Sequence, residues 1–137
     1  MKKIVVNGVF DVLHLGHIRL LSHARSYPES YVYVLIDSDR RVREMKGHNR
    51  PIHSEYERAS FLFALKYVDR VDVFDTDQEL EAFIKHFQPD VMIKGSDYIN
   101  KHIIGREHCG KIDFYSRIEK YSTTKKLEEI LAKNTKE

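Results

Sequence analysis

Two histidines three positions apart, His14 and His17, are the strongest candidates in the sequence for a binding or catalytic role. They lie between an apolar run, 4–6, that predicts a buried strand and an apolar-periodic stretch, 18–24, that predicts a helix. A strand that turns at a glycine into a helix start directs backbone N–H groups and the positive end of the helix dipole toward one point, where phosphate binds readily. Because each imidazole could donate an N–H to the same anion, we expect a polyphosphate site here.

A structural role and metal binding are the less favoured interpretations of the two histidines. An isolated pair near a helix start is often structural. The pair lacks the His-Glu-x-x-His spacing of a zinc enzyme, and no cysteine or acidic residue completes a ligand set. Gly8, Asp11 and Gly16 at these offsets favour phosphate. The absence of Gly-x-Gly-x-x-Gly after the first strand and of Gly-Lys-Ser/Thr argues against a dinucleotide cofactor and a P-loop kinase.

A second phosphate site is indicated near the end of the chain, at Ser122, Thr123 and Thr124. Taken alone, these residues and the lysines after them would be an ordinary helix N-cap with a solvated face. Hydroxyl groups together with unpaired N–H groups at a helix start also bind phosphate, and Arg117 lies upstream to clamp one.

Lys46 is the third candidate, in a loop that contains Gly47 and Pro51. A charge on a loop usually serves only solvation. A loop lysine can also fold over a triphosphate and neutralise the charge that develops during phosphoryl or nucleotidyl transfer.

The composition bounds the class of protein. With 137 residues, 42% hydrophobic and 32% charged, we expect one globular domain, 1–137. A net charge of only +2 argues against a nucleic-acid-binding face. The lone Cys109 excludes an internal disulfide and favours the cytoplasm, and no apolar run is long enough for a membrane span.

Strands alternate with helices along the chain. The predicted strands are 4–6, 31–36, 71–74, 91–93 and 112–115. The predicted helices are 18–24, 40–45, 55–67, 77–87, 101–108 and one that opens at 122–124. This alternation predicts an α/β fold, a single doubly wound, Rossmann-like parallel sheet of about five strands with helices on both faces. The polar segments that follow strands, 7–17, 37–39, 94–98 and 116–124, should then converge on one edge of the sheet.

Two of these segments carry a family resemblance. The stretch Gly8-Val9-Phe10-Asp11…His14-Leu15-Gly16-His17 resembles the signature of the cytidylyltransferase-like nucleotidyltransferases. Arg117 followed by Ser122-Thr123-Thr124 matches the second signature of that group, Arg-x-x-x-x-Ser-Thr-Thr, in order and spacing. The likeness runs from about residue 3 to residue 131, which is nearly the whole chain.

The resemblance implies a reaction and a set of partners. A nucleoside monophosphate would pass from an NTP to a phosphorylated small molecule, with release of pyrophosphate and with Mg²⁺ as cofactor. The acceptor phosphate would attack the α-phosphorus in line, without a covalent enzyme intermediate, so catalysis would consist of positioning and charge neutralisation. The resemblance also favours a homodimer. From the low net charge and the lack of a long apolar run, we expect neither nucleic acid nor a membrane as a partner.

It also implies roles for individual residues. Catalytic roles fall on His14, His17, Lys46 and Arg117. The nucleotide would be bound by Gly8, Val9, Phe10, Gly16, Lys94, Gly95, Asp97, Arg117, Ser122, Thr123 and Thr124. The acceptor side would involve Asp11, Asp39, Arg58 and Tyr98, with Asp11 and Asp39 facing the acceptor or the metal and Arg58 reaching the acceptor phosphate. No metal ligand is assigned.

Two subgroups of the family are similar to different parts of the chain. The length and the start resemble glycerol-3-phosphate cytidylyltransferases, which would use CTP. The middle resembles sugar-phosphate (heptose 1-phosphate) adenylyltransferases through Lys46-Gly47-x-x-Arg50-Pro51, Ala64-Leu65-x-x-Val68-Asp69 and Val91-x-Ile93-Lys94-Gly95-x-Asp97-Tyr98. We therefore favour ATP and a sugar phosphate.

Two features depart from both subgroups: Lys120 stands where they usually have glycine, and the segment Arg106-Glu107-His108 is unusual. A non-catalytic nucleotide-binding module is the alternative from another class. Such a module would be expected to lack His17 or Lys46, and both are present.

Overall fold

The computed structural model describes residues 1–116 and 123–135. Its strands are β1 (Lys2–Gly8), β2 (Ser30–Asp37), β3 (Arg70–Phe74), β4 (Val91–Gly95) and β5 (Lys111–Tyr115). Its α-helices are α1 (Leu15–Arg25), α2 (Asp39–Lys46), α3 (Glu55–Phe63), α4 (Asp77–Phe87) and α5 (Thr123–Thr135). Two single 3₁₀ turns span Ser96–Tyr98 and Arg106–His108. In these described ranges, no helix has both the length and the apolar character that crossing a bilayer requires.

The five strands form one parallel sheet in the order β3-β2-β1-β4-β5. This arrangement confirms the predicted α/β fold with a Rossmann-like sheet. Strand β1 lies in the centre, and the chain extends to β2 on one side and to β4 on the other. The strand order therefore reverses between β1 and β4, which is where such sheets bind ligands beyond the carboxyl ends of their strands.

Each face of the sheet has its own hydrophobic core. On one face, Leu21 and Ala24 of α1 and Leu62 of α3 pack against alternate residues of the central strands. On the other face, Leu80 and Ile84 of α4 pack against the intervening set. Because side chains alternate across a strand, helices cover both faces of the sheet, as expected.

Two predicted helices differ from the structure. The helix expected over 55–67 ends at Phe63, since Leu65, Tyr67 and Val68 turn to pack against the core beneath the sheet. The helix expected over 101–108 is reduced to the turn at 106–108. Gly105 has φ +83°, a left-handed conformation that an α-helix cannot contain, and a Cβ there would lie 2.8 Å from Ile84. Close packing of Gly105 against α4 therefore excludes a longer helix in this segment.

A partly buried polar cluster joins α1 and the turn after it to β5. The Asp113 carboxylate accepts hydrogen bonds from His23 (2.7 Å) and from the Tyr27 hydroxyl (2.5 Å). Burial alone would raise the pKa of Asp113, but these hydrogen bonds and the charge of His23 outweigh it and hold that pKa below its usual value. A carboxyl group with a lowered pKa stabilises the fold above its unfolded pKa and loses this contribution as pH falls through its folded pKa.

We expect Asp113→Asn to lower the melting temperature at pH 7, because the amide cannot replace the ionised acceptor. The difference from the wild-type protein should shrink below about pH 4, where the wild-type carboxylate also becomes protonated. Thermal melts of both proteins between about pH 3 and pH 8 measure the effect. If the difference in melting temperature does not change with pH, the stabilisation comes from packing of the side chain and not from its charge.

Candidate active site

A cavity of about 560 Å³ opens at the carboxyl ends of β1 and β4, where the strand order reverses. This volume is typical of a site for a small molecule. The polar segments after β1, β2 and β4 and the start of α5 all contribute to its wall. The predicted site residues that line it are Gly8, Val9, Phe10, Asp11, His14, Gly16, His17, Lys46, Lys94, Gly95, Asp97, Tyr98, Thr123 and Thr124.

The two histidines form the N-terminal cap of α1. His14 Nδ1 accepts a hydrogen bond from the Gly16 N–H (3.1 Å), and His17 Nδ1 accepts one from the His14 N–H (3.1 Å). The two rings lie 3.9 Å apart. Because a backbone N–H can only donate, each Nδ1 is unprotonated, and Nε2 is the nitrogen that carries the proton in each ring. The capping geometry therefore selects the tautomer in which each histidine offers Nε2–H to an anion.

The backbone just before this cap is strained. Phe10 has φ +53° and Val12 has φ +49°, both in the left-handed region that residues with a Cβ rarely adopt. Each such residue costs about 1–3 kcal/mol and persists where the surrounding structure enforces it. Phe10 is buried, with its ring 5.3 Å from that of His17. The strained turn therefore brings a core side chain against one of the two imidazoles.

Asp11 joins three segments around the cavity. Its backbone oxygen accepts a hydrogen bond from the Thr123 hydroxyl at the start of α5 (2.5 Å). Its carboxylate accepts the N–H groups of Ile52 (2.6 Å) and His53 (2.9 Å) in the loop before α3. Both carboxylate oxygens are therefore used within the protein. Asp11 therefore positions the first helix, the last helix and the intervening loop. It also lines the cavity, and the expectation that it faces the acceptor or the metal stays a prediction.

Lys94 lies at the end of β4, facing β1 across the reversal point. Its Nζ donates to Asn7 Oδ1 (3.1 Å) and lies 4.5 Å from the centre of the Tyr98 ring. Burial lowers the pKa of the Lys94 ammonium, while the carboxylates of Asp37 and Asp97 act in the opposite direction. The site thus holds a partly desolvated cation, and a phosphate oxygen would interact with it more strongly than with a solvated lysine.

Arg58 and Asp39 do not line the cavity, contrary to the expectation that they contact the acceptor. The Arg58 side chain is fully buried and donates to the carbonyl oxygens of Val9, Asp37 and His53. Its remaining nitrogen donates to Asp39 Oδ1 at 2.8 Å. Arg58 therefore binds the ends of β1 and β2 together, and Asp39 neutralises its charge. Both residues therefore stabilise the strand ends beside the cavity, and neither lines it.

Several basic residues in the cavity wall were not assigned to the site from the sequence. They are Arg19, Arg41, Arg50 and His102. Arg41, in the first turn of α2, follows Asp37 at the end of β2 by four residues and pairs with its carboxylate (2.8 Å). Arg50 lies in the same loop as Lys46. With Lys46 and Lys94, the Lys and Arg side chains of the wall outnumber its carboxylates, Asp11, Asp37 and Asp97. The cavity wall is therefore a local basic site in a chain whose net charge is only +2.

Comparison with known proteins agrees with this geometry. A family model described as cytidylyltransferase-like matches residues 5–135. The chain belongs to the cytidylyltransferase-like family. The resemblance in the two signatures is thereby confirmed, and with it the classification of this domain as a nucleotidyltransferase-type enzyme.

Relatives of this cytidylyltransferase-like domain are longer proteins. The chain is 40% identical over 127 residues to the "Bifunctional protein HldE" of Campylobacter fetus, covering 93% of the chain and 27% of that protein. It is 45% identical over 129 residues to the "Bifunctional protein HldE" of Koribacter versatilis, covering 91% and 26%. The chain therefore spans about a quarter of the length of these relatives.

A solved structure shares the fold of this cytidylyltransferase-like domain. It is described as the lipopolysaccharide core biosynthesis protein from Thermoplasma volcanium. It superimposes with a TM-score of 0.69 at 27% identity, covering 89% of this chain and 99% of that one. The five-stranded sheet with its helices is therefore shared with a protein of the same size class.

Two residues of the second family signature, Arg117 and Ser122, lie outside the described residues, so their predicted roles stay predictions. The described part of that signature, Thr123 and Thr124, lies in the wall of the cavity that the histidines also line. The first signature of the cytidylyltransferase-like family and the described part of the second therefore meet at one site, although Asp11 and Thr123 are 112 positions apart.

The cavity wall contains carboxylates that could take part in binding Mg²⁺. This ion prefers one or two carboxylates together with water and substrate phosphates. The carboxylates of the wall are Asp11, Asp37 and Asp97. Asp11 accepts two backbone N–H groups and Asp37 pairs with Arg41, but each keeps oxygen lone pairs that an ion could share. Such a set fits an ion that arrives with a triphosphate. Over the described ranges, the side chains that cluster closely enough to form a metal site by themselves are Glu81, Glu107 and His108, and none of them lines the cavity.

Proposed function

We propose that this domain transfers AMP from ATP to the phosphate of a phosphorylated sugar and releases pyrophosphate. The observation that carries the proposal is the meeting of the His14–His17 cap with the hydroxyl-bearing start of α5, joined by the hydrogen bond from Thr123 to Asp11. Two helix N-termini directed at one cationic cavity suit a polyphosphate better than any uncharged ligand.

The chemistry follows from where charge develops. When the acceptor oxygen attacks the α-phosphorus of the NTP, negative charge grows on the phosphoryl oxygens and on the departing pyrophosphate. The Nε2–H groups of His14 and His17 would donate to these oxygens. The Thr124 hydroxyl and the backbone N–H groups at the start of α5 would hold the terminal phosphates, while the Thr123 hydroxyl donates to Asp11 and fixes that helix start. Mg²⁺, held by the triphosphate with carboxylates of the cavity wall, would supply further neutralisation of the phosphate charge.

The choice of ATP and a sugar phosphate rests on two likenesses. The middle of the chain resembles heptose 1-phosphate adenylyltransferases, and the relatives with 40% and 45% identity are both called bifunctional protein HldE. Transfer of CMP from CTP to glycerol 3-phosphate is the second candidate, because the start of the chain resembles that subgroup. The homodimer and the cytoplasmic location stay predictions.

A matrix of substrates tests the proposal. The protein is mixed with Mg²⁺, one of the four NTPs, and a heptose 1-phosphate, another sugar 1-phosphate or glycerol 3-phosphate, and pyrophosphate release is followed. We expect release with ATP and a sugar 1-phosphate only. Release with CTP and glycerol 3-phosphate would establish the second candidate. NTP binding without release in any combination would support a non-catalytic module.

Lys46→Ala is expected to reduce kcat strongly and to change the dissociation constant of the nucleotide little. Lys46 ends α2 at the rim of the cavity and is followed by Gly47 at φ +97°, so the ammonium is placed where a loop can bring it to the developing charge. A contact made mainly in the transition state lowers kcat and kcat/KM together. Steady-state kinetics and equilibrium titration with the nucleotide measure the two quantities. Equal losses in both would indicate ordinary ground-state binding.

A further inference from the structure

Arg50 combines a charge with an unsatisfied hydrogen-bond donor. Its Nε is buried and has no hydrogen-bond partner. Among the described residues, no other buried side-chain nitrogen or oxygen lacks a partner in this way. The side chain lines the cavity. A buried donor without a partner is unfavourable by the cost of removing it from water, so an anion that reached this guanidinium would relieve that cost.

Two other cations of the wall are already held by the protein. Arg41 donates to Asp37 and Asp77, both at 2.8 Å. Lys94 donates to Asn7. Arg58, which the sequence suggested for the acceptor phosphate, is fully buried beneath the site with its donors used. Arg50 differs from these three in having a buried nitrogen atom, Nε, without a hydrogen-bond partner.

The backbone around Arg50 is well anchored. The Arg50 N–H donates to the Gly47 carbonyl oxygen at 3.2 Å. Ile52 and His53, two and three positions after Arg50, donate their N–H groups to the Asp11 carboxylate. Since Asp11 is also bonded to Thr123, the base of the Arg50 side chain is held relative to both helix N-termini. A guanidinium on such a base can select the position of a ligand and not only its charge.

The strand order puts the segment that carries Arg50 and the segment assigned to the nucleotide on different sides of the central strand. Arg50 follows α2 and β2, on one side of the central strand β1. Lys94, Gly95 and Asp97, which the family resemblance assigns to the nucleotide, follow β4 on the other side. In an in-line displacement the attacking oxygen enters opposite the leaving group, so the acceptor approaches from a different side than the pyrophosphate.

We propose that Arg50 binds the phosphate group of the acceptor, as a specificity and positioning residue for the transfer. This inference rests on the proposed function and names the residue on which recognition of the acceptor depends. A planar guanidinium can donate two parallel hydrogen bonds to one phosphate, which fixes the orientation of its attacking oxygen. A neutral hydroxyl in the place of the phosphate would leave the buried donor and the charge unsatisfied.

The test compares Arg50→Ala and Arg50→Lys with Arg43→Ala, a matched control on the exposed face of α2 that does not line the cavity. Inorganic phosphate is titrated into each protein by calorimetry, with and without saturating α,β-methylene ATP, which occupies the triphosphate site. Titration with the nucleotide analogue alone and a thermal melt accompany each variant. In turnover assays, the KM for the sugar 1-phosphate is measured separately from the KM for ATP.

We expect Arg50→Ala to weaken phosphate binding about tenfold or more and to leave the dissociation constant of the nucleotide analogue within about twofold. Arg50→Lys should recover part of the loss, because it keeps the charge without the paired donors. Arg43→Ala should match the wild-type protein. Unchanged phosphate binding in a folded Arg50→Ala protein would overturn the inference, as would an equal loss of nucleotide binding.

The outcomes also separate this inference from the proposed function. If no NTP and acceptor give pyrophosphate but phosphate binding still depends on Arg50, the proposed reaction fails while the anion site at Arg50 stands. If pyrophosphate forms and the KM for the acceptor does not change in Arg50→Ala, the reaction stands and the role of Arg50 fails. Absence of phosphate binding by the wild-type protein also overturns it.

Discussion

Replacement of His17 by alanine is expected to lower kcat by about 10²–10³-fold while the domain stays folded. The change removes one Nε2–H donor directed at the charge that develops in the transition state, and loss of one such donor costs about 3–4 kcal/mol. It also removes the Nδ1 acceptor of the His14 N–H, which is worth about 1 kcal/mol of helix capping. Activity should therefore fall far more than stability.

A second variant separates these two effects. His17 is the third residue of α1, the position at which glutamine side chains commonly reach back to the cap residue. His17→Gln should therefore preserve the melting temperature and still lose turnover to a similar extent. His86→Ala, on the exposed surface of α4 away from the cavity, is the control for loss of an imidazole. Pre-steady-state measurement of pyrophosphate formation, paired with thermal melts, decides between the roles.

The opposite pattern would contradict the catalytic assignment. A collapsed melting temperature in His17→Ala, together with normal activity in a folded His17→Gln, would make His17 a capping residue only. In that case the anion site would depend on the backbone N–H groups of α1 and on the start of α5.

Arg58→Ala is expected to have the largest effect on stability, a loss of about 3–5 kcal/mol. The substitution leaves the carbonyl oxygens of Val9, Asp37 and His53 buried without their donor, and it leaves Asp39 without its cation. In a domain of this size, such a loss corresponds to a decrease of about 10 °C or more in the melting temperature. Equilibrium unfolding in urea, followed by circular dichroism, measures the free energy of unfolding directly.

Controls for Arg58 use its partner and an exposed arginine. Asp39→Asn keeps an oxygen that can accept from the guanidinium and should cost much less than Arg58→Ala. Arg43→Ala, on the surface, should leave stability within about 0.5 kcal/mol of the wild-type value. Normal stability of Arg58→Ala with a raised KM for the acceptor would show that this side chain leaves its buried position to bind substrate, and would restore the role that the sequence suggested.

The parts of the fold that were predictable from the sequence depend on short-range signals. Ser38, Ser54 and Thr76 each accept a hydrogen bond from a backbone N–H three residues ahead and begin a helix where their residue types predicted one. The strands appeared as short apolar runs because both faces of a parallel sheet are covered. Errors arose where packing outweighed local preference, as at Gly105, whose contact with Ile84 excludes the helix expected there.

The candidate site divides in the same way. The motifs proposed to bind phosphate were recognisable because a helix start, its capping residues and the glycine before them are neighbours in the chain. The structural uses of Asp11 and Arg58 were not recognisable, because their partners are distant: the Asp11 carboxylate binds N–H groups 41 and 42 positions away, and Arg58 reaches Val9 across 49 positions. A charged residue that binds substrate and one that binds backbone have the same sequence signature.

The alternating architecture and the family were readable from consecutive residues, since periodicity, capping and motif spacing are local features of the chain. Folding alone gave each charged side chain its partners. It joined Asp11 and Arg58 to distant backbone groups and left a buried donor of Arg50 unsatisfied at the cavity. The physical reason is that the free energy of a charge depends on its solvent exposure and its partners, and both are known only once the chain is folded.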